Sequence, residues 1–270
     1  MNMIKIQSPA KINLFLKILG KRDDGYHNIE TSFQLIDLYD SITFKEAKNS
    51  IIIKSNKFVS EKSDNIIFQS AKFLSQYTKK NEKKGVIINL QKNIPIGAGL
   101  GGGSSNAATT LIALNKLWDL NLSKKQLFKI GIKLGADVNF FINGKNSLAK
   151  GIGEKLKEIP SIDEKILIIY PSIHNSTKKM FTDLERFKGK NSLLSNQNHF
   201  WDIFLNQSSE VKDFVEENSK NNEINLSGSG SCMFVFYKDD KDISKIIKKI
   251  PPKWRLFFCK PLQYSPICYI

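Results

Sequence analysis

The stretch Ile94-Pro-Ile-Gly-Ala-Gly-Leu-Gly-Gly-Gly-Ser-Ser-Asn106 restricts what this chain can become more than any other. Five glycines fall between Gly97 and Gly103, and behind them Ala107, Leu111, Leu114 and Trp118 recur at helical spacing. Glycine lets a backbone enter left-handed conformations and approach other groups where a Cβ would collide. A glycine loop that runs into a helix aims unpaired N–H groups at one spot, where the helix dipole adds positive potential, so the natural ligand is phosphate. Gly97-x-Gly99-x-x-Gly102 formally satisfies the dinucleotide fingerprint. However, the preceding apolar run ends near Leu90, and a polar, proline-bearing connection replaces the required tight strand-to-helix turn. No acidic residue ends a second strand downstream, since Asp119 belongs in or beside the helix. The lysine of a P-loop is missing after the glycines, and so are the His-Arg-Asp and Asp-Phe-Gly signatures of protein kinases.

Hydrophobic periodicity organises the rest. Ile12, Leu14, Leu16 and Ile18 alternate with Lys11, Asn13, Phe15 and Lys17, which predicts a strand with Lys11 and Asn13 on one face. Further strands are expected at Ser41–Phe44, Ser50–Lys54 and Val86–Leu90, and a helix over Asp64–Tyr77. A second helix starts at Ser123, whose partner Gln126 completes a capping box; its apolar positions Leu127, Ile130 and Leu134 stop at Gly135. Asp137 thus falls just past a helix end. The second half reads as a strand at Lys165–Tyr170, helices at Ser176–Phe187 and Trp201–Glu217, and a strand at Cys232–Tyr237. A helix at Ile243–Ile250 is stopped by Pro251-Pro252 before a last strand at Arg255–Lys260. Helices between separated strands fit an α+β sandwich with helices on one sheet face. At 270 residues two domains are expected, 1–160 and 161–270, divided in the Glu158–Ser161 stretch.

Composition narrows the partners. No apolar run approaches the ~20 residues of a membrane span, and Met1–Lys11 lacks the continuous apolar stretch of a secretory signal, so a cytoplasmic protein is expected. Cys232, Cys259 and Cys268 show no metal spacing and are expected to be reduced and mostly buried. The net charge of +15 invites a nucleic-acid reading, but only Arg22, Arg186 and Arg255 carry the fork suited to bidentate recognition, and the lysines are spread over every segment. Neither nucleic acid nor membrane is expected as a partner; a diffuse positive field would attract an anionic small molecule.

Pro95-Ile96-Gly97-Ala98-Gly99-Leu100-Gly101-Gly102-Gly103-Ser104-Ser105 resembles the nucleotide-binding motif of the GHMP kinases, small-molecule kinases unrelated to protein kinases. Ser8-Pro-Ala-Lys-Ile-Asn13 is similar to that family's first motif, and Leu226-Ser-Gly-Ser-Gly-Ser-Cys232 to its third, a C-terminal glycine loop. Lys11, Asp23-Asp-Gly-Tyr-His27 and Gly135-Ala-Asp-Val138 look most like the members that act on a diphosphocytidyl methylerythritol in the non-mevalonate route to isoprenoids. The resemblance spans Ser8 to Tyr237. It implies a two-domain α+β fold, an N-terminal domain like ribosomal-protein domain two and a ferredoxin-like C-terminal domain, with the active-site cleft between them. It also implies transfer of the γ-phosphoryl group of ATP, with Mg2+, to the substrate's tertiary 2-hydroxyl. No residue of this chain is assigned to the metal.

The chemistry of the residues agrees. An alcohol needs a carboxylate to orient it and take its proton, and positive charge where phosphoryl oxygens gather electron density. Asp137 and Lys11 are expected in those roles; at about 4 Å and an effective dielectric near 20 they would attract by ~4 kcal/mol, favouring an ionised carboxylate and a protonated lysine. Pro95–Ser105 would cradle the nucleotide phosphates. Recognition of a base needs a flat apolar surface and edge hydrogen bonds, which Tyr26 and His27 offer. In the family an aromatic from the second domain closes the other side, and Thr177 followed one helical turn later by Phe181 matches that pattern. Asn13 would hydrogen-bond the substrate. Departures are Asn139 and Lys178 where proline is usual, and Asn198–Asp202, which only loosely resembles an expected acidic segment. Two other readings stay open: a GHMP kinase for mevalonate-, homoserine- or sugar-like substrates, and an RNA-binding module, since the N-terminal domain type is shared with ribosomal proteins.

Overall fold

Two long strands hold the first half together. In the computed structural model, which describes residues 2–60, 64–78, 84–186 and 198–269, β1 (Met3–Lys21) pairs antiparallel with β2 (His27–Lys48) along its whole length. β2 is far longer than the expected Ser41–Phe44. Its upstream part escapes a period-two reading because the buried positions Thr31, Ser32 and Gln34 are polar. They are tolerated inside because they are hydrogen-bonded: Thr31 Oγ1 donates to Phe15 O at 2.5 Å and Gln34 Nε2 to Leu262 O at 3.0 Å.

β2 is the hub of a sheet that is seven-stranded among the described residues. Its C-terminal half pairs with β4 (Lys84–Gln91), which carries β3 (Ile51–Ser55) in parallel. Its N-terminal half pairs with β5 (Ser147–Gly151), followed by β6 (Lys155–Glu158). Helices α1 (Ile66–Ser75), α2 (Gly102–Leu117), α3 (Lys124–Leu134) and α4 (Val138–Asn143) share one core with this sheet, centred on Phe33, Phe44, Leu111, Trp118 and Phe140. The capping box at Ser123 and Gln126 forms as expected. α4, β5 and β6 were not anticipated from the sequence.

The second sheet runs β10-β7-β9-β8, with β7 (Lys165–Tyr170), β8 (Asn225–Leu226), β9 (Met233–Tyr237) and β10 (Arg255–Cys259). β7 reads as an unbroken apolar run because both its faces are buried. Leu167 and Ile169 pack with α5 (Thr177–Arg186), α6 (Trp201–Leu205), α7 (Ser209–Asn218) and α8 (Asp240–Ile247); Ile166 and Ile168 turn the other way. The single helix expected over Trp201–Glu217 is two. Ser208 accepts from Val211 N at 3.4 Å and starts α7, yet Phe204, Val211 and Phe214 keep helical spacing across the break and hide it. α8 begins at Asp240, capped by Asp239, rather than at Ile243. Phe187, the expected end of α5, lies outside the described residues.

Between the sheets sits a third apolar cluster. Ile12 and Ile36 of the hairpin, Ile94, Ala98 and Leu100 of the glycine loop, and Ile166, Ile168, Cys232 and Phe234 of the second sheet pack together. Chain segment β11 (Pro261–Leu262) then returns to pair with β2 at Ile36 and Leu35. Of the three free cysteines, Cys232 and Cys259 are buried and Cys268 is exposed. No helix among the described residues is long and apolar enough to cross a membrane.

Candidate active site

The glycine loop enters α2 through Gly101, whose φ is +68° and whose position offers no side chain to cap the helix. The first N–H groups of α2 therefore have no side-chain cap. Gly99, at φ +77°, lies against the second glycine loop so closely that a Cβ would collide with Ser227 O. The contact is cemented by Cys232 N donating to Ala98 O (3.1 Å) and Ser227 Oγ donating to Gly99 O (3.0 Å). Gly99→Ala combines a left-handed φ with a backbone clash, each costly alone. We expect a loss of at least about 2 kcal/mol in unfolding free energy, read by urea titration, together with a raised KM for nucleotide.

Lys11 stands at the loop's centre. β1 places it on the face opposite Ile12, 3% exposed, where Nζ donates to Gly99 O at 2.9 Å and Asn13 Oδ1 at 2.5 Å and lies 3.5 Å from Asp137 Oδ2. Three acceptors match the three N–H bonds of an ammonium. Burial nevertheless outweighs the attraction of Asp137, and the lysine's pKa is pulled below its ordinary value. Asp137 occupies the N-cap position of α4 without capping it, and its side chain, 28% exposed, keeps access to the cavity. Asn13, expected to bond the substrate, is engaged internally. Its Oδ1 accepts from Lys11, its Nδ2 donates to Thr31 Oγ1 at 2.8 Å, and its backbone N–H donates to Ser227 Oγ at 3.3 Å.

A cavity of about 810 Å³ joins these groups. Lys11, Asn13, Tyr26, His27, Pro95 to Ser104, Asp137, Thr177 and Phe181 all line it. Ser105 does not: its hydroxyl is buried against Ser8 Oγ at 2.7 Å. His27 and Phe181 stack directly, ring centroids 4.6 Å apart at 17°, and Phe200 meets Phe181 edge-on at 5.0 Å. Two rings gripping a base need about 7 Å between them, two contact distances of roughly 3.5 Å. As they stand, no base fits between His27 and Phe181. Tyr26 remains 60% exposed beside them. Thr177 begins α5 and its Oγ1 lies 3.0 Å from Ser229 Oγ of the second glycine loop.

Sequence reasoning missed three supporting features. Asn175 N donates to Gly97 O at 3.0 Å, while the neighbouring His174 ring packs where a Cβ of Gly97 would stand. Asn198 Nδ2 bonds Leu226 O and Gly228 O, and His199 N donates to Leu16 O, strapping the segment before α6 to β1. Beneath the loop, Lys92 and Asp40 form a buried ion pair, and Asp40 also accepts from Asn93 N, Ile94 N and Asn106 Nδ2. Burial dominates here too and lowers the pKa of Lys92. The one available signal was local: Lys92 and Asn106 flank the glycine loop.

Residues 65–145 match the GHMP kinases N terminal domain. The chain is 41% identical to a 4-diphosphocytidyl-2-C-methyl-D-erythritol kinase from Acinetobacter baylyi, over 99% of this chain and 98% of the relative. It is 40% identical to one from Ruthia magnifica subsp. Calyptogena magnifica, over 96% and 95%. A crystal structure of 4-(cytidine 5'-diphospho)-2C-methyl-D-erythritol kinase superposes with a TM-score of 0.78 at 25% identity, over 96% of this chain and 99% of that one. The L. major mevalonate kinase shares the fold, with a TM-score of 0.70 at 16% identity over 97% of this chain and 96% of its own.

Proposed function

Because the chain belongs to the 4-diphosphocytidyl-2-C-methyl-D-erythritol kinases of the GHMP kinase family, we propose that Asp137 and Lys11 carry its phosphoryl transfer. The enzyme uses ATP to phosphorylate the 2-hydroxyl of its diphosphocytidyl polyol. The observation that carries the residue assignment is the 3.5 Å approach of Lys11 Nζ to Asp137 Oδ2 in a cavity shared with the start of α2. Asp137 orients the hydroxyl and takes its proton as the oxygen attacks phosphorus. Lys11, fixed by Gly99 and Asn13, faces the negative charge that gathers on the transferring group. The uncapped N–H groups of α2 receive the nucleotide phosphates. Asn13 serves the reaction first by aiming Lys11.

Mg2+ fits this site in the manner usual for the ion. It is commonly bound by one or two carboxylates plus substrate phosphates, and Asp137 is the carboxylate at hand. Among the described residues no group of three or more His, Cys, Asp or Glu could hold a metal. The ion would neutralise phosphate charge. We divide the chain at 160, so that 1–160 supplies Lys11, Asp137 and the loop and 161–270 supplies Thr177 and Phe181. Buried, unpaired thiols at Cys232 and Cys259 agree with a cytoplasmic setting.

The ring geometry supports one reading of the base site. With the space between His27 and Phe181 closed, the cytosine lies in the plane of His27 and meets its edge, and Tyr26 and Phe181 offer the stacking faces. His27→Ala and Phe181→Ala should each raise KM for the cytidine substrate about tenfold or more while changing KM for ATP little, given ~1–3 kcal/mol per stacked base. Equal effects on both substrates would remove these residues from the base site. Transfer of labelled γ-phosphate from ATP to the diphosphocytidyl substrate, with unsubstituted methylerythritol phosphate as control, tests the whole reading. Comparable labelling of the control would overturn the substrate assignment.

A further inference from the structure

Residues Thr177, Phe181 and Glu185 stand one helical turn apart on α5, and all three line the cavity. Glu185 has no part in the scheme above. Its Oε1 lies 2.9 Å from Lys21 Nζ of β1 and 3.4 Å from His27 Nε2 of β2. The hydrogen bond from Lys21 holds the Glu185 carboxyl below its ordinary range, so the group that faces the imidazole is an anion.

Stacking on Phe181 sets the plane of the His27 ring but leaves two choices open: which nitrogen faces which way, and which carries the proton. A carboxylate only accepts, so in the neutral ring its 3.4 Å approach favours the proton on Nε2 and leaves Nδ1 as an acceptor. An acceptor at the edge of a pyrimidine pairs with an exocyclic amino group and repels a carbonyl oxygen. Cytosine has the amino group where uracil has the carbonyl.

We propose that Glu185 is a positioning residue that acts through His27 and makes the base pocket select an amino-bearing pyrimidine over its keto counterpart. The inference rests on the base-site reading above. Glu185 is 41% exposed on a helix surface, so its variants keep the fold. The test compares wild type, Glu185→Ala, Glu185→Gln and His27→Ala with cytidine- and uridine-diphosphate-linked acceptors, and reads the His27 ring nitrogens by 15N NMR at about pH 8, above the usual imidazole range. Wild type should show the proton on Nε2 and a cytidine preference. Glu185→Ala should lose at least about tenfold of that preference in kcat/KM, through KM rather than kcat, and redistribute the tautomers. Glu185→Gln keeps an acceptor at the same reach and should retain most of the preference. An unchanged preference in Glu185→Ala, or a wild-type ring protonated on Nδ1, overturns the proposal. If His27→Ala raises the cytidine KM and Glu185→Ala does not, only this inference fails. If His27→Ala changes nothing, the base-site reading fails with it.

Discussion

Asp137→Asn should turn over about a thousandfold more slowly than wild type, a loss of ~4 kcal/mol in transition-state stabilisation. The amide keeps the shape of the carboxylate but cannot take a proton. Some stability should be lost as well, because Lys11, 3% exposed, would keep only an uncharged partner at that position. Lys11→Ala should lose a comparable factor, since among the described residues no other cation donates to Gly99 O. The pH profile separates the two roles. Burial lowers the pKa of Lys11 and Asp137 pushes it up, so activity should fall as pH rises through a value below the ordinary lysine range. In Asp137→Asn the upward push is gone, and the residual activity should fall at still lower pH. Near-normal turnover in either variant, measured by single-turnover phosphate transfer, would remove that residue from the chemistry.

The second large effect is on folding. Asp40→Ala should destabilise the protein by about 3–5 kcal/mol, the cost of stranding a buried charge. Lys92 would be left 4% exposed with Asn106 Oδ1, at 3.2 Å, as its remaining acceptor, and the N–H groups of Asn93 and Ile94 would lose theirs. Lys92→Met should cost clearly less, because three hydrogen bonds from Asn93, Ile94 and Asn106 still hold the carboxylate. Urea unfolding of the two variants and of the double variant decides the matter. Equal losses for the two single changes would contradict the asymmetry argued here. Because Asn93 and Ile94 lead into the glycine loop, Asp40→Ala should also raise KM for ATP.

What could be read in advance was encoded locally. Left-handed turns at Gly97, Gly99 and Gly101 favour glycine through local sterics, and the box at Ser123 and Gln126 closes within one helical turn. Lys11 and Asp137 were legible through the motifs around them. The features that escaped depend on partners far apart in the chain. Asp40 meets residues 52 to 66 positions away, Asn198 reaches back to the strand edge at Leu16, and Glu185 faces His27 across the two halves. Buried polar residues masked the strand pattern at Thr31 and Gln34, and continuous apolar spacing concealed the helix break at Ser208. The stacking of His27 on Phe181 likewise depends on how α5 docks, which no local pattern specifies.

The apolar cluster under the glycine loop bears on how the enzyme breathes. Ala98 and Leu100 are packed at once against the hairpin and against Ile168 and Phe234 of the other sheet, so the floor of the site is a weld and not a pivot. Rigid swinging of one half against the other would tear that floor open to water. On the proposed reading, admission and release of the acceptor would fall to the rim, between α5 and the turn at Tyr26.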